Sequence, residues 1–239
     1  RAFTNAQIGA IATGNLTDLA DTQLAALSTT QVRALTTTQV GALTSTNFSA
    51  LTSTQVGALS TAQLASLTST ALNTLSSTQA SALTAAQVRG FTTTQIGDLT
   101  ATALSNFGTA QIGALSTAQI GELTTTNLAE LASTQVAAFV SSQVAALSTT
   151  NLTGLADTQL AALSTTQIRA LTTTQVSALT TTNVGALTST QTGALTVAQI
   201  ARFETESFAA LNTTQVAAFA ATQVRALTTT QIEALSAGD

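Results

Sequence analysis

An eight-residue period runs through this chain without a single insertion or deletion, and it constrains the fold more than any other feature. One column of the period reads Phe3, Ile11, Leu19, Leu27, Leu35 and Leu43, and continues through Phe91, Phe107, Phe139, Phe203 and Phe219 to Leu235; every member is Leu, Phe or Ile. A second column, three residues upstream, reads Ile8, Leu16, Leu24, Val32, Val40 and Phe48 on to Ile232. It is apolar throughout except at Thr192, with Ala80 a weak member. The residue before it is Gln or Asn (Gln7, Asn15, Gln23, Gln31, Gln39, Asn47), with Ala71, Ala103 and Ser207 as exceptions. A representative unit is Thr36-Thr37-Thr38-Gln39-Val40-Gly41-Ala42-Leu43. A fixed short period is the signature of a repeat architecture, in which a unit too small for a core of its own is stabilised by stacked neighbours.

The octad reads as one very short helix. Thr36 is placed as the N-cap, its hydroxyl accepting from the Gln39 N–H while the Gln39 side chain reaches back, which makes a capping box. Leu35 and Val40 then occupy the two positions of a hydrophobic staple. The same devices recur at Ser60/Gln63 with Leu59/Leu64, and at Thr92/Gln95 with Phe91/Ile96. Because the next N-cap directly follows the Leu anchor, each unit is expected to be about one and a half helical turns closed by a kink without a real loop. Helices this short are marginal alone, so stability must come from stacking.

Two rival folds weigh less. In a continuous helix the columns would drift about 80° per octad and no face would stay buried. A β-solenoid with Thr rows is the stronger rival because Thr and Val suit strands. Its difficulty is the odd spacing of the two apolar columns, which would put them on opposite faces of a strand. The expected fold is therefore all-α: a solenoid of very short helices, one continuous array over residues 1–239. With two or three octads per turn and helices about 8–10 Å apart, it would form a rod on the order of 100 Å long. The block from Asn15 to Leu43 closely matches Asn151 to Leu179, which reads as duplication of a large block. The residue after the Val column varies (Gly41, Ser49, Arg33, Arg89, Glu233) and is the candidate solvent face.

Composition removes most chemistry. There is no Pro, Cys, Met, Trp, Tyr, His or Lys, and charged residues are 7% of the 239. Without His or Cys neither an ordinary zinc site nor an imidazole-based triad can be assembled. No catalytic, cofactor-binding or metal-binding residue is assigned, and no enzyme activity is expected. Six Arg, spread from Arg1 to Arg225, and a net charge of −4 do not supply the clustered cations that phosphate neutralisation needs, so nucleic acid is not an expected partner. Apolar runs such as Val136–Val140 fall far short of the roughly 20 residues of a bilayer span, so membrane insertion is not expected. The acidic residues are scattered, with Glu122 and Glu130 at equivalent octad positions and Asp21 and Asp157 likewise. These read as solvated surface, a weak cation site being the sharper alternative. The most irregular unit, Arg202 to Phe208, has Glu204 where an N-cap belongs and Ser207 in the Gln column, and reads as a local defect or an ion pair. Sequons at Asn15, Asn47, Asn151 and Asn212 are by-products of the repeat.

The stretch Leu35-Thr-Thr-Thr-Gln-Val-Gly-Ala-Leu43 resembles the first helix of TAL-effector repeats. The rest of that repeat, with its base-reading pair and Lys, is absent, and DNA binding is not carried over. The tandem text of the whole chain resembles the repeat segments of large bacterial secreted or cell-surface proteins of adhesin and RTX type, although the glycine-rich calcium nonapeptide of RTX proteins is missing. That resemblance implies an extracellular or cell-surface location and a spacer or stalk role. A chain beginning at Arg1 rather than Met is read as a piece of a longer protein. The competing function is a binding module that turns a regular Thr face towards ice, a polysaccharide or another surface, with a glycan or a protein as further ligand classes. No cofactor is expected.

Overall fold

The computed structural model describes residues 3–236, so Arg1 lies outside the described residues. They form twenty-nine short α-helices, from Asn5–Gly9 to Thr229–Ser236, one per octad and with no strand among them. Backbone contacts cluster into two units, Arg1–Glu122 and Leu123–Asp239, and the same packing rule operates inside each.

Within an octad, we number the N-cap position 1 and the Leu or Phe anchor position 8. Thr36 is extended (φ −73°, ψ 158°), and the helix Thr37–Gly41 follows it. The Thr36 hydroxyl accepts from the Gln39 N–H at 3.1 Å, while Gln39 Oε1 accepts from the Thr36 N–H at 2.7 Å. The capping box is thus present as the spacing predicts. The anchor closes the unit through its N–H, which donates to the Val40 carbonyl at 3.1 Å. Where the helix is one residue longer, the anchor itself is extended: Leu59 has φ −62°, ψ 138°. Two consecutive extended residues, positions 8 and 1, make the corner. No described residue has a positive φ, and so the corner needs neither Gly nor Pro.

Burial repeats with the octad. From Gln39 to Phe203, positions 1 to 3 are mainly exposed, positions 4, 5 and 8 buried, and positions 6 and 7 mostly between. Both apolar columns therefore point inward, Val40 and Ile96 at position 5 being fully buried and Leu171 at position 8 nearly so. Thr192, the polar intruder in column 5, is also fully buried. Its hydroxyl donates within its own helix to the Ser189 carbonyl at 2.9 Å, which meets the requirement that a buried polar group be bonded.

The number of octads per turn differs from the two or three expected. Helix Thr37–Gly41 packs on Thr61–Ser66, three octads further on. Gln39 Nε2 donates to the carbonyls of Ile8 (2.9 Å) and Ile11 (2.7 Å), in the octad four units back. A turn of the coil therefore takes between three and four octads. In the second unit, helix Thr165–Ala170 likewise packs on Ser189–Ala194, and Gln175 reaches Val144 and Leu147.

Position 6 is only in part the free solvent face the sequence suggests: Arg33, Ser49, Arg89 and Glu233 are exposed, while Gly41 and Gly57 lie against the coil that follows. A Cβ added at Gly41 would lie 2.8 Å from the Ser66 carbonyl oxygen, and one at Gly57 would lie 2.8 Å from that of Ala82. Gly121 and Gly185 face open space. Two substitutions therefore separate. Gly57→Ala pushes on a backbone that cannot yield cheaply and is expected to cost about 1–3 kcal/mol. Gly185→Ala, inside helix Thr181–Ala186, is expected to stabilise by up to about 1 kcal/mol through helix propensity. Urea unfolding of the two variants beside the parent checks this; equal effects would mean that position 6 is not a coil-to-coil contact.

Candidate functional surface

The Gln/Asn column is where sequence reasoning saw half of the function of a side chain. Its oxygen completes the capping box in its own octad, and its amide nitrogen caps the preceding coil. A helix leaves its last carbonyls without intrahelical partners. Here those at positions 5 and 8 take the amide of the Gln four octads later, at separations of 31 and 28 residues. Gln95 Nε2 to Leu64 and Leu67 (2.9 and 2.8 Å) and Gln199 Nε2 to Ile168 and Leu171 (both 2.8 Å) are examples from the two units. Every buried side-chain nitrogen and oxygen among the described residues has a partner.

Two of the three exceptions in the column are compensated at the same acceptor, and the third bonds to a later octad instead. Ser207, in the octad read as a defect, donates from its hydroxyl to the Leu179 carbonyl at 2.7 Å, the acceptor a Gln there would use. Where Ala103 replaces Gln, Asn106 Nδ2 supplies the bond to the Leu75 carbonyl at 2.9 Å. In the octad with Ala71, Asn73 Nδ2 donates to the Asp98 carbonyl at 3.0 Å, and the Ser69 hydroxyl donates to the Asp98 carboxylate at 2.8 Å. Arg202, Glu204 and Glu206 stand exposed around Ser207. Cohesion at that unit is therefore carried by a hydroxyl on a carbonyl.

The Arg residues at position 6 follow a rule that only the folded coil shows. Arg33, Arg89 and Arg169 donate from Nε to the carbonyls of Ala58, Ala114 and Ala194 at 3.1–3.2 Å, each 25 residues on. In each case the octad receiving the bond carries Gly at its own position 6 (Gly57, Gly113, Gly193). These three Ala are buried, whereas position 7 is usually half-exposed. The aliphatic part of such a side chain covers apolar surface of the neighbour.

What remains for contact with the outside is the exposed set at positions 1 to 3, such as Thr36, Thr37 and Thr38, with an open groove between successive coils. One stretch of that groove, about 400 Å³, is lined by Ser49, Leu51, Ser53, Thr74, Ser76 and Thr78. An equivalent stretch of about 360 Å³ lies beside Arg169 and Thr222. Asp21 and Asp157 sit exposed in the first turns of helices whose N-caps are Ala20 and Ala156. A negative charge there complements the helix dipole in place of a capping hydroxyl. Glu122 and Glu130 are exposed, and among the described residues no group of three acidic side chains is placed to hold a metal ion. Among the described residues no helix is long and apolar enough to cross a membrane. Two of the four sequon asparagines are buried and used internally, Asn47 donating to Thr17 (3.1 Å) and Asn151 to Leu123. Asn15 and Asn212 are exposed, and Asn212 acts as an N-cap for Gln215.

A protein family described as the ALTTAQ repeat matches this chain four times, at residues 16–53, 92–125, 154–189 and 200–237, together more than half of its length. Each match spans four to five octads, enough for one turn of the coil and its first Gln-to-carbonyl bonds. No curated protein and no solved structure matches the chain.

Proposed function

The chain belongs to the ALTTAQ repeat family, and from that premise we propose that it is a non-enzymatic structural spacer: a stalk-like repeat region of a secreted or cell-surface adhesin-like protein of bacteria. The observation that carries this reading is the use of the recurrent side chains. Leu and Phe anchors and the column-5 side chains fill the core, and Gln and Asn amides join one coil to the next. The strongest sequence conservation along the repeat is thus spent on cohesion, and the exposed positions tolerate Thr, Ser, Ala, Asp and Val alike. A spacer needs cohesion and solubility and nothing more specific on its surface.

The second reading, a binding module, is favoured by the hydroxyl-lined groove at Ser49, Ser53, Thr74, Ser76 and Thr78 and by exposed Thr rows such as Thr93 and Thr94. An ice-recrystallisation assay together with a polysaccharide and glycan array separates the two. The spacer reading expects no activity in either. Activity that disappears on Thr37→Lys and Thr93→Lys, with helical content unchanged, would establish the binding module instead.

A further inference from the structure

Contacts in this coil are short along the chain. The helices that pack closely stand three octads apart in both units, as Ser45–Ser49 on Ser69–Leu72 and Thr173–Ser177 on Val197–Ile200. The Gln amides reach one octad further, 31 residues at most: Gln63 to Val32 and Leu35, and Gln191 to Leu160 and Leu163. The Arg33 and Arg169 side chains span 25 residues, and the Thr192 hydroxyl spans 23 to the Gln215 carbonyl.

Contact range sets the size of the unit that must come apart together. In a globular core, segments far apart in the chain are buried against one another, so pulling one out exposes the rest. Here an octad rests on those three and four units before and after it. Releasing it leaves the contacts of more distant octads in place, and the array behaves as a row of units coupled to near neighbours. The bonds to be broken are few and alike from octad to octad. Octad 60–67 is held by the Gln63 amide on the coil before it and by the Gln95 amide from the coil after it. In the second unit, octad 164–171 is held in the same way by Gln167 and Gln199. Each adds one buried anchor, Leu67 or Leu171.

Rewinding follows from the same geometry. A released octad cannot keep its helix, because five or six residues fall well below the length at which helices persist in water. It regains the helix against the coil left in place, where the carbonyls and apolar columns already stand in position. Its partners are no more than 31 residues away, so the loop to be closed is short and re-formation is fast.

We propose that this coil is an extensible link, which lengthens under tension a few octads at a time and rewinds when the tension falls. Its use as a load-bearing link rests on the spacer reading; the lengthening itself is a property of the packing.

Optical tweezers test this on the full chain. The sequence contains no Cys, so a Cys added at each end takes the DNA handles and nothing else is labelled. The expected record is a series of small increments, about 28 Å of contour for each octad at roughly 3.5 Å per residue, with slow pulling and relaxing traces that superimpose. Gln167→Ala, which removes one coil-to-coil amide, is expected to lower the force of the increments that release its neighbourhood and to leave the others at the parent's force. Should that variant lose its helical circular dichroism, the parent's traces decide alone. One or two rips that each release on the order of 400 Å or more, a relaxing trace that stays extended until the force is gone, or a folded variant that shifts every increment equally would each overturn the proposal. Such rips would leave a rigid spacer standing, whereas glycan or ice activity would remove the spacer reading and leave the extensibility untouched.

Discussion

Gln175→Ala is expected to lower the unfolding free energy by on the order of 3 kcal/mol, well beyond the roughly 1 kcal/mol typical of losing an N-cap hydroxyl. The side chain is 3% exposed and makes four hydrogen bonds across two coils. Its oxygen accepts from the Thr172 N–H at 2.8 Å; its nitrogen donates to Val144 (2.9 Å), Ala145 (3.4 Å) and Leu147 (2.8 Å). The Val144 carbonyl keeps a partner in the Leu147 N–H at 3.2 Å. The Leu147 carbonyl, at the end of its octad, loses the amide that satisfies it, and leaving a buried acceptor unpaired costs about 1–3 kcal/mol before the cavity is added. Thr172→Ala, which removes one hydroxyl from the same capping box, is the control. Urea denaturation monitored at the helical circular dichroism band measures both. Equal losses for the two variants would mean that the amide contributes nothing beyond its own octad.

Leu171→Ala is expected to cost about 2–5 kcal/mol, the range for emptying a buried leucine site. Leu171 is 5% exposed and is the anchor that ends helix Thr165–Ala170. Its carbonyl also receives Gln199 from the next coil at 2.8 Å. A collapse that filled the cavity would shift this corner and lengthen that bond, so the site relaxes poorly and the loss belongs in the upper part of the range. Leu19→Ala, at a half-exposed anchor of the first coil, removes less buried surface and should cost clearly less. If Leu171→Ala were as stable as the parent, the anchor column could not be the core.

The amino-acid sequence by itself determined what happens within eight residues. The capping box at Thr36 and Gln39, the length of the helices and the loop-free corner all depend on groups at most a few residues apart. Hydrogen bonds and steric preferences at that range are written directly into residue order, and twenty-nine copies of the octad made it unmistakable. The same local logic weighed against the rival β-solenoid, because positions 5 and 8 cannot share one face of a strand.

Only the tertiary structure decided what lies between octads. The second half of the Gln side chain's role, with acceptors 28 and 31 residues back, depends on how many corners complete a turn. That number follows from corner angles and from how closely helices pack, and neither appears in a list of residue types. Position 6 looked free because its residues vary. Folded, some of its members reach the coil three octads on, Arg33 at the Ala58 carbonyl and Arg169 at that of Ala194. Ser207 and Asn106 looked like breaks in the pattern and prove to deliver the same bond by a different reach, because the physical requirement is a donor at a carbonyl and not a particular residue in a column. A period read along one dimension fixes the unit; the separation at which units touch is set in three, by packing.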